Sequence, residues 1–317
     1  MPLYLTEPEV KRLITMPEAI AAVEAAFADQ GAGRGAQNQA RSRFFLPQGV
    51  LHTMSAALPS KGVMGTKTYT SFGTETRFWV MLYSAEDGSL LAMIEGDRLG
   101  QIRTGAATGV AARHLAREDA TMASLFGTGW QAETQAEALL VARPNLREVQ
   151  VHSRDAHNRE TFCRKMTARL GIRFSPFGSA EEAARTTQIL ITATSAREPI
   201  LRGEWLSPGD FVAAVGANRF TAREIDETVV ARADRVVVDD LDQARLEAAE
   251  LIYAYERRKW SWASAVSLAQ VVAGPGPARR SGDEILVFKS LGIALEDVAV
   301  AQVVYENARS LGLGREL

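Results

Sequence analysis

Residues Ala120–Ala132, with the sequence ATMASLFGTGWQA, decide the fold of this 317-residue chain. The apolar run Met122–Phe126 predicts a strand, and a helical pattern begins directly after the two glycines that follow it. In the spacing G-x-G-x-x-A, Gly127 permits a tight turn, Gly129 lets the backbone approach a pyrophosphate, and Ala132 lets helix and strand pack closely. Glycine turns also join strands to helices for steric reasons alone, so the motif by itself leaves both interpretations open.

The segment after this turn completes a β-α-β unit. Residues Val149–His152 predict the second strand, and Arg159–Leu170 predicts the helix that follows it. In such a unit, the N–H groups at the positive end of the first helix face the phosphates of a dinucleotide. We therefore expect a dinucleotide cofactor to contact the residues of the turn, which are Gly127, Thr128, Gly129, Trp130 and Gln131.

Strands and helices continue to alternate after this unit, which predicts the parallel sheet of a doubly wound Rossmann fold. Ligands of such sheets lie at the carboxyl ends of the strands, although small residues at those ends also form ordinary turns. Further strands are expected at Gln188–Thr192, Asp210–Val215 and Arg235–Asp239, and helices at Ser179–Arg185, Thr221–Ala231, Leu241–Tyr253 and Trp262–Val272. The candidate cofactor-lining residues at the strand ends are Ala193, Thr194, Ser195, Val215, Gly216 and Asn218.

The residues that follow the second strand indicate which cofactor is bound. An acidic residue about 20 positions after the glycine motif usually binds the ribose 2′-hydroxyl of NAD. Ser153 and Arg154 occupy that place here, and a guanidinium group suits a 2′-phosphate. The sequence therefore favours NADPH, while the neighbouring Asp155 keeps NAD possible.

The N-terminal part predicts a smaller α+β domain. Residues Met16–Gln30 predict a helix capped by Thr15, and residues 41–72 contain short β-rich pieces that favour an antiparallel sheet. A hairpin is expected around Asp87-Gly88, and the last helix suits a return to this domain. These features divide the chain into two domains. The smaller domain comprises residues 1–118 together with residues 290–317, which return to it, and the dinucleotide-binding domain comprises residues 119–289.

Basic residues in the N-terminal part are candidate ligands for an anion. Lys67 lies in the otherwise uncharged stretch 62–72, where it is either buried beside an acidic partner or exposed on an edge strand. Arg41 and Arg43 share one face of a strand and are either solvated or bound to a carboxylate.

Arg103 is a further candidate, at the expected start of a helix rich in small residues that runs to Leu115. There, the guanidinium group and the helix N-terminus would bind a carboxylate together. The alternative is a salt bridge with Glu95 or Asp97.

Composition excludes several classes of protein. A net charge of −2 argues against a nucleic-acid-binding surface, and no His/Cys cluster has the spacing of metal ligands. The single cysteine, Cys163, excludes an internal disulfide. Charged residues near the N-terminus and the lack of a long apolar run argue against a signal peptide or a membrane partner, so we expect a cytoplasmic protein.

Six pieces of the sequence, taken in order, resemble the ornithine cyclodeaminase/mu-crystallin family along nearly the whole chain. Any one of them alone would be unspecific. They are GVMGTKTYTSF (62–72), IRTGAATG (102–109), FGTGWQA (126–132), ITATSAREPI (191–200), VGANRFTAREID (215–226) and FKSLGIALED (288–297).

The resemblance implies a Rossmann domain and a substrate-binding domain whose sheet joins that of a second copy in a homodimer. It also implies that Arg41, Lys67 and Arg103 face the carboxylate of a small amino or imino acid. Arg41 matches the family spacing better than Arg43 does. Ser290 would border the nicotinamide.

One departure from the family pattern bears on the reaction. Ornithine cyclodeaminases carry an aspartate where this chain has Asn218, and the lysine that accompanies it is replaced by Ala222. Cyclodeamination needs a group that exchanges protons, and an amide does not do so at neutral pH. The resemblance therefore implies an NAD(P)H-dependent ketimine reductase, with Lys67, Arg103 and Asn218 as its catalytic residues.

Other activities of the same family stay open from the sequence. They are an amino-acid dehydrogenase that acts on an open-chain imine, an ornithine cyclodeaminase, and a mu-crystallin-like protein that binds NADPH and ligand without turnover.

Overall fold

The computed structural model describes residues 1–276 and 278–317, which form two compact units. The first unit comprises residues 1–107 and 292–317, and the second comprises residues 108–291. The chain passes from the first unit to the second within the helix Asp97–Leu115, so this division falls 11 residues before the one drawn from the sequence.

The first unit is built on one sheet in which only β1 and β7 are parallel neighbours. Strands run in the order β16-β1-β7-β6-β5-β4-β2, and β3 pairs with β4 beside β2. The strands are β1 (Leu3–Leu5), β2 (Gln37–Asn38), β3 (Ser42–Leu46), β4 (Gly49–Leu58), β5 (Val63–Phe72), β6 (Glu75–Ser84), β7 (Leu90–Glu95) and β16 (Arg315–Glu316). The helices are α1 (Glu7–Leu13), α2 (Met16–Gly31), α3 (Asp97–Leu115) and α11 (Ala294–Leu311).

Local sequence explains why α2 begins where it does. The Glu18 carboxylate accepts hydrogen bonds from the backbone N–H and the hydroxyl of Thr15, at 2.9 and 2.6 Å. This capping box satisfies groups that a helix start leaves unpaired. The predicted helix, the antiparallel strands and the hairpin are confirmed.

Burial alternates along β4, where every second residue from His52 to Leu58 is buried. Because side chains alternate across a strand, these residues share one face of the sheet. Helix α11 packs against β4, β5 and α2 and covers this face. The positions of Lys67 and Met54, which are paired across β4 and β5, follow from that register.

The second unit is a parallel sheet with strand order β10-β9-β8-β11-β12-β15-β13-β14. Its strands are β8 (Met122–Phe126), β9 (Glu148–His152), β10 (Arg173–Phe177), β11 (Ile189–Thr192), β12 (Phe211–Ala214), β13 (Arg235–Val238), β14 (Ala265–Ser267) and β15 (Leu286–Lys289). Its helices are α4 (Trp130–Ala142), α5 (Ala156–Leu170), α6 (Ala180–Arg185), α7 (Glu227–Arg232), α8 (Leu241–Glu247), α9 (Ala249–Glu256) and α10 (Leu268–Val272).

This topology confirms the α/β Rossmann prediction, because the strand order reverses between β8 and β11. Ligands of open parallel sheets bind at such a reversal, outside the carboxyl ends of the strands. Gly127 follows β8 and Ala193 follows β11, so the predicted turn lies at this point.

Three helices predicted in the second unit differ from those in the structure in where they begin or end. The helix expected at Thr221–Ala231 begins only at Glu227, because the Asp226 carboxylate caps it there. The helix expected at Leu241–Tyr253 is two helices, since the backbone at Ala248 leaves the helical conformation. The helix expected at Trp262–Val272 is reduced to α10 by a 3-10 turn and strand β14.

Candidate active site

Lys67 lies on the covered face of the first unit's sheet and is only 2% exposed. Its Nζ donates a hydrogen bond of 2.8 Å to Oδ1 of Asp297, in the first turn of α11. The interpretation as a buried, paired lysine is therefore confirmed, and the exposed edge lysine is excluded. Gly100 of α3 lies so close that a Cβ there would stand 2.9 Å from Nζ.

Arg103 joins the same acidic pair. Its Nε lies 3.0 Å from Oδ1 of Asp297, and its Nη1 lies 2.9 Å from Oε2 of Glu296. The alternative partners considered for it, Glu95 and Asp97, are not those it binds.

The predicted position of Arg103 at a helix start is wrong. Helix α3 begins at Asp97, so Arg103 is its seventh residue and lies beyond the first turn. The dipole of α3 falls off within that first turn. The guanidinium group of Arg103, and not the N–H groups at the start of α3, therefore belongs to the charged cluster.

Arg41 is buried directly before β3, whereas Arg43 is half-buried within that strand. The Nη2 of Arg41 donates 2.7 Å to the carbonyl of Gly292, and its Nε lies 3.4 Å from Sδ of Met54. Gly292 also faces Arg103, because a Cβ on it would meet Nη1 of Arg103 at 2.3 Å. The structure thus places two guanidinium groups against one glycine backbone.

The charges in this cluster perturb one another strongly. Burial lowers the pKa of Lys67 to about 8, with Arg103 and Arg41 adding to the effect and Asp297 opposing it. Although burial has the opposite effect, the carboxylates of Asp297 and Glu296 raise the pKa of Arg103. The cluster of Arg41, Lys67 and Arg103 with Glu296 and Asp297 carries one more positive than negative charge when Lys67 is protonated. An anion would neutralise that excess.

A row of rings on β4, β5 and β6 borders the cluster. The rings of His52 and Tyr69 are stacked with centroids 4.0 Å apart, and Phe78 follows at 5.0 Å from Tyr69. The Nζ of Lys67 lies 5.1 Å from the centroid of Phe78. Burial, together with Arg43 and Arg41, lowers the pKa of His52 to about 4, so this row is uncharged at neutral pH.

The glycine turn of the second unit fits a dinucleotide by three observations. Gly127 has a φ of +116°, and a Cβ on it would stand 2.3 Å from the carbonyl of Ala193. Gly129 precedes α4 with no described atom within 4 Å of the position of a Cβ. The Oε1 of Gln131 is buried without a hydrogen-bond partner among the described residues. The open backbone at the start of α4 suits a phosphate group, whereas the Gln131 oxygen is an acceptor and would need a donor such as a ribose hydroxyl.

The predicted residues after the second strand lie at the end of β9. The Ser153 hydroxyl donates 3.0 Å to the carbonyl of Asp155, and Arg154 is exposed. The Asp155 carboxylate accepts a 2.7 Å hydrogen bond from the N–H of Asn158 and caps α5. The side chains of Ser153 and Asp155 are thus both engaged locally, and Arg154 is exposed between them.

The residues at the ends of β11 and β12 are joined by a carboxylate that the sequence analysis did not single out. Glu224 accepts hydrogen bonds from the N–H groups of Thr194 and Gly216, each at 2.6 Å. Ala193 and Val215 are buried beside them, whereas Ser195 and Asn218 are exposed.

Ser290, at the end of β15, is buried, and its Oγ donates to Oδ2 of Asp239 over 3.3 Å. The predicted residues therefore fall into two groups, one in each unit, and Ser290 belongs to the second.

The sequence analysis missed the acidic partners of the basic cluster. Glu296 and Asp297, near the start of the last helix, were not among the partners considered for Lys67 or Arg103. One signal in the sequence could have identified them: the two acids are adjacent and lie between apolar residues, a pattern that predicts burial. Buried carboxylates need paired cations, and Lys67 and Lys289 each lie in a stretch that is otherwise uncharged.

Comparisons with known proteins agree with this arrangement. The model of the ornithine cyclodeaminase/mu-crystallin family matches residues 2–312. Alanine dehydrogenase of Archaeoglobus fulgidus is 34% identical over 325 residues, which cover 99% of this chain and 98% of that protein.

Two solved structures have the same fold. Thermococcus litoralis Δ1-pyrroline-2-carboxylate reductase, in complex with NADH and L-proline, gives a TM-score of 0.94 at 32% identity, covering 99% of this chain and 100% of that one. An archaeal alanine dehydrogenase dimer with bound NAD gives a TM-score of 0.92 at 34% identity, covering 100% of this chain and 98% of that one. Among the described residues, no helix has the length and apolarity needed to span a membrane.

Proposed function

The chain belongs to the ornithine cyclodeaminase/mu-crystallin family, and from that premise we propose that it is an NAD(P)H-dependent reductase of cyclic ketimine carboxylates. The substrates would be of the size of Δ1-pyrroline-2-carboxylate or Δ1-piperideine-2-carboxylate, and the products proline or pipecolate. Reductases and dehydrogenases that act with nicotinamide cofactors, among the relatives described above, support the broader assignment as an oxidoreductase.

The observation that carries the proposal is the buried basic cluster beside neutral rings. Arg41, Lys67 and Arg103 would bind the substrate carboxylate, since the cluster has an excess positive charge and forked donors. His52, Tyr69 and Phe78 offer an apolar surface for the ring of the substrate.

The cofactor would be held by the second unit. Gly127, Gly129 and the start of α4 would bind its pyrophosphate, and Arg154 would lie toward the ribose. When bound, a reduced nicotinamide supplies a hydride. The protein's own residues would hold the substrate carboxylate, and the side-chain oxygen of Asn218 would accept a hydrogen bond from the imine N–H. A protonated imine is already an electrophile and needs no further acid.

An assay of both cyclic imines with NADH and NADPH tests the proposal. We expect nucleotide oxidation with at least one imine, with no requirement for added amine. Turnover of ornithine to proline without any reduction of the imines would overturn it.

The similarity to alanine dehydrogenase favours a second candidate, a dehydrogenase that reduces the open-chain imine formed from pyruvate and ammonia. The two candidates differ in one requirement. Turnover by the second candidate depends on the concentration of ammonia or amine, whereas cyclic ketimine reduction does not.

The lowered pKa of Lys67 predicts how the affinity for a carboxylate ligand depends on pH. Its pKa is lowered to about 8, and only the protonated ammonium attracts a carboxylate. We expect the affinity for pyrrole-2-carboxylate, which has no basic nitrogen, to be constant below pH 7 and to fall by up to about tenfold per pH unit above 8. Calorimetric titration from neutral to alkaline pH measures it.

The Lys67→Met variant is the control for this pH dependence. It should bind more weakly and lose the alkaline decrease. A decrease that persists unchanged in this variant would assign the titration to another group.

Arg154 gives a prediction about cofactor choice. Replacing Arg154 by Ala should raise KM for NADPH about tenfold, because a charge-assisted hydrogen bond contributes about 1.5 kcal/mol, and leave KM for NADH unchanged. Initial rates with each nucleotide measure the split. Arg164→Ala removes another exposed arginine, on α5, and should change neither value. Equal effects of Arg154→Ala on both nucleotides would remove the basis for favouring NADPH.

We also propose a homodimer. Strand β3 exposes three consecutive large apolar side chains, Phe44, Phe45 and Leu46, with Phe45 73% exposed. Large apolar side chains exposed on both faces of one strand are typical of an interface, and the similar archaeal alanine dehydrogenase is a dimer. Sedimentation equilibrium of the wild-type protein and of Phe45→Glu tests this, with dissociation expected for the variant.

A further inference from the structure

We propose that Glu224 is a positioning residue for the nicotinamide half of the cofactor, because its single carboxylate fixes the two loops that follow β11 and β12. This inference rests on the proposed function, since the loops matter in this way only if a nicotinamide nucleotide lies against them. Glu224 itself is fully buried and does not need to touch the cofactor.

The geometry of the carboxylate shows how the loops are joined. Oε1 accepts the N–H of Thr194 at 2.6 Å and its hydroxyl at 2.8 Å. Oε2 accepts the N–H of Gly216 at 2.6 Å and the hydroxyl of Thr192 at 3.0 Å. One side chain therefore receives four hydrogen bonds from two neighbouring strand ends.

Two further charged side chains, Glu250 and Lys289, bind the backbone of Glu224 and of the loop that follows β12. Glu250 of α9 accepts the N–H of Glu224 at 3.1 Å through Oε1. The Nζ of Lys289 lies 3.2 Å from the same oxygen and donates 2.5 Å to the carbonyl of Ala217. All three charged side chains are at most 1% exposed. These bonds restrain the loop after β12, although Oε2 of Glu250 has no hydrogen-bond partner among the described residues.

The close packing of the loops supports a positioning role. A Cβ on Gly216 would stand 2.3 Å from the carbonyl of Thr194 and 2.5 Å from Oε1 of Glu224. The N–H groups of Thr194 and Gly216 already donate to Glu224, so they are engaged away from any phosphate. The loops would therefore contact a cofactor by their shape, which Glu224 sets.

The strand order indicates which half of a dinucleotide these loops meet. In a doubly wound sheet, the dinucleotide spans the point where strand order reverses, with its adenosine half toward the strand after the glycine turn. Here that strand is β9, which ends at His152 and is followed by Ser153 and Arg154. The nicotinamide half would then lie toward β11 and β12.

The experiment compares two nucleotides on wild type and Glu224→Gln. The amide retains the size of the side chain but turns one acceptor into a donor that opposes an N–H group. We expect the Kd of NADH, measured calorimetrically, to rise about tenfold or more, and the Kd of ADP-ribose to stay within about twofold. Glu227→Gln is the control: Glu227 lies three positions after Glu224 and pairs with Lys259, and its replacement should change neither Kd.

Each outcome separates the inference from the proposed function. Equal weakening of both nucleotides, or no weakening, overturns the role of Glu224. Failure of the wild-type protein to bind either nucleotide overturns the proposed function instead. If Glu224→Gln does not fold, Thr192→Val decides, because it removes the buried hydroxyl that donates 3.0 Å to Oε2 of Glu224. We expect the Kd of NADH to rise about threefold and that of ADP-ribose to stay unchanged, and no rise would overturn the inference.

Discussion

Replacing Lys67 by Met should lower kcat/KM for the cyclic imine by roughly two to three orders of magnitude. Removing one partner of a buried, hydrogen-bonded charge pair costs about 2–5 kcal/mol, and about 1.4 kcal/mol corresponds to a tenfold change. Met keeps the length and apolar volume of the stem of Lys67 but has no charge. Steady-state kinetics with saturating cofactor measure the loss.

Lys67→Met is a better test than a change of Arg103 because it leaves the acidic pair with a partner. Asp297 retains its 3.0 Å contact with Nε of Arg103 after Lys67 is replaced. Removing Arg103 would instead leave two buried carboxylates short of cations, which is costly to the fold.

Lys61→Met is the matched control, since Lys61 is exposed in the turn between β4 and β5. It should leave kcat/KM unchanged. Near wild-type kcat/KM in Lys67→Met, with an unchanged thermal unfolding temperature, would remove Lys67 from the proposed catalytic residues.

Replacing Gly127 by Ala should abolish cofactor binding, with Kd for NADH rising by more than about 100-fold. The φ of +116° is unfavourable for any residue with a Cβ, at a cost of about 1–3 kcal/mol. The added methyl would also stand 2.3 Å from the carbonyl of Ala193, so the turn must move away from the end of β11. Calorimetric titration with NADH and thermal unfolding would record both losses.

Two other glycines separate strain from binding. A Cβ at Gly129 would have no described atom within 4 Å, and φ is not positive there, so Gly129→Ala should leave the stability unchanged. It should still weaken the binding of NADH, because the added methyl group would lie where a phosphate approaches the backbone. Gly178→Ala is equally open and lies after β10, so neither property should change. Unimpaired NADH binding in Gly127→Ala would show that the nucleotide lies elsewhere.

Much of the fold was predictable because its signals are local. The Thr15 and Glu18 pair identified α2, and the apolar run before Gly127 identified β8 with the same first and last residues as in the structure. Alternation of strands and helices gave the doubly wound class. Strand β10 carries a proline and exposed residues, which obscured it.

The candidate site was predictable only in part because its contacts are distant in sequence. Lys67 and Asp297 are separated by 230 residues, and no periodic pattern reports such a pairing. The start of α3 was misplaced because Gly100 and Gly105 interrupt the usual helical composition. Burial of Glu224 likewise depends on β11 and β12 being neighbours.

The two glycines that face the basic cluster offer a criterion for sorting related sequences. Any side chain at Gly100 would displace the Lys67 ammonium, and any at Gly292, where φ is +73°, would displace the Arg103 guanidinium. A homologue that keeps all three basic residues but has lost either glycine is therefore expected to have diverged in substrate. Transfer of function among these proteins should be judged by the backbone positions as well as by the charged ones.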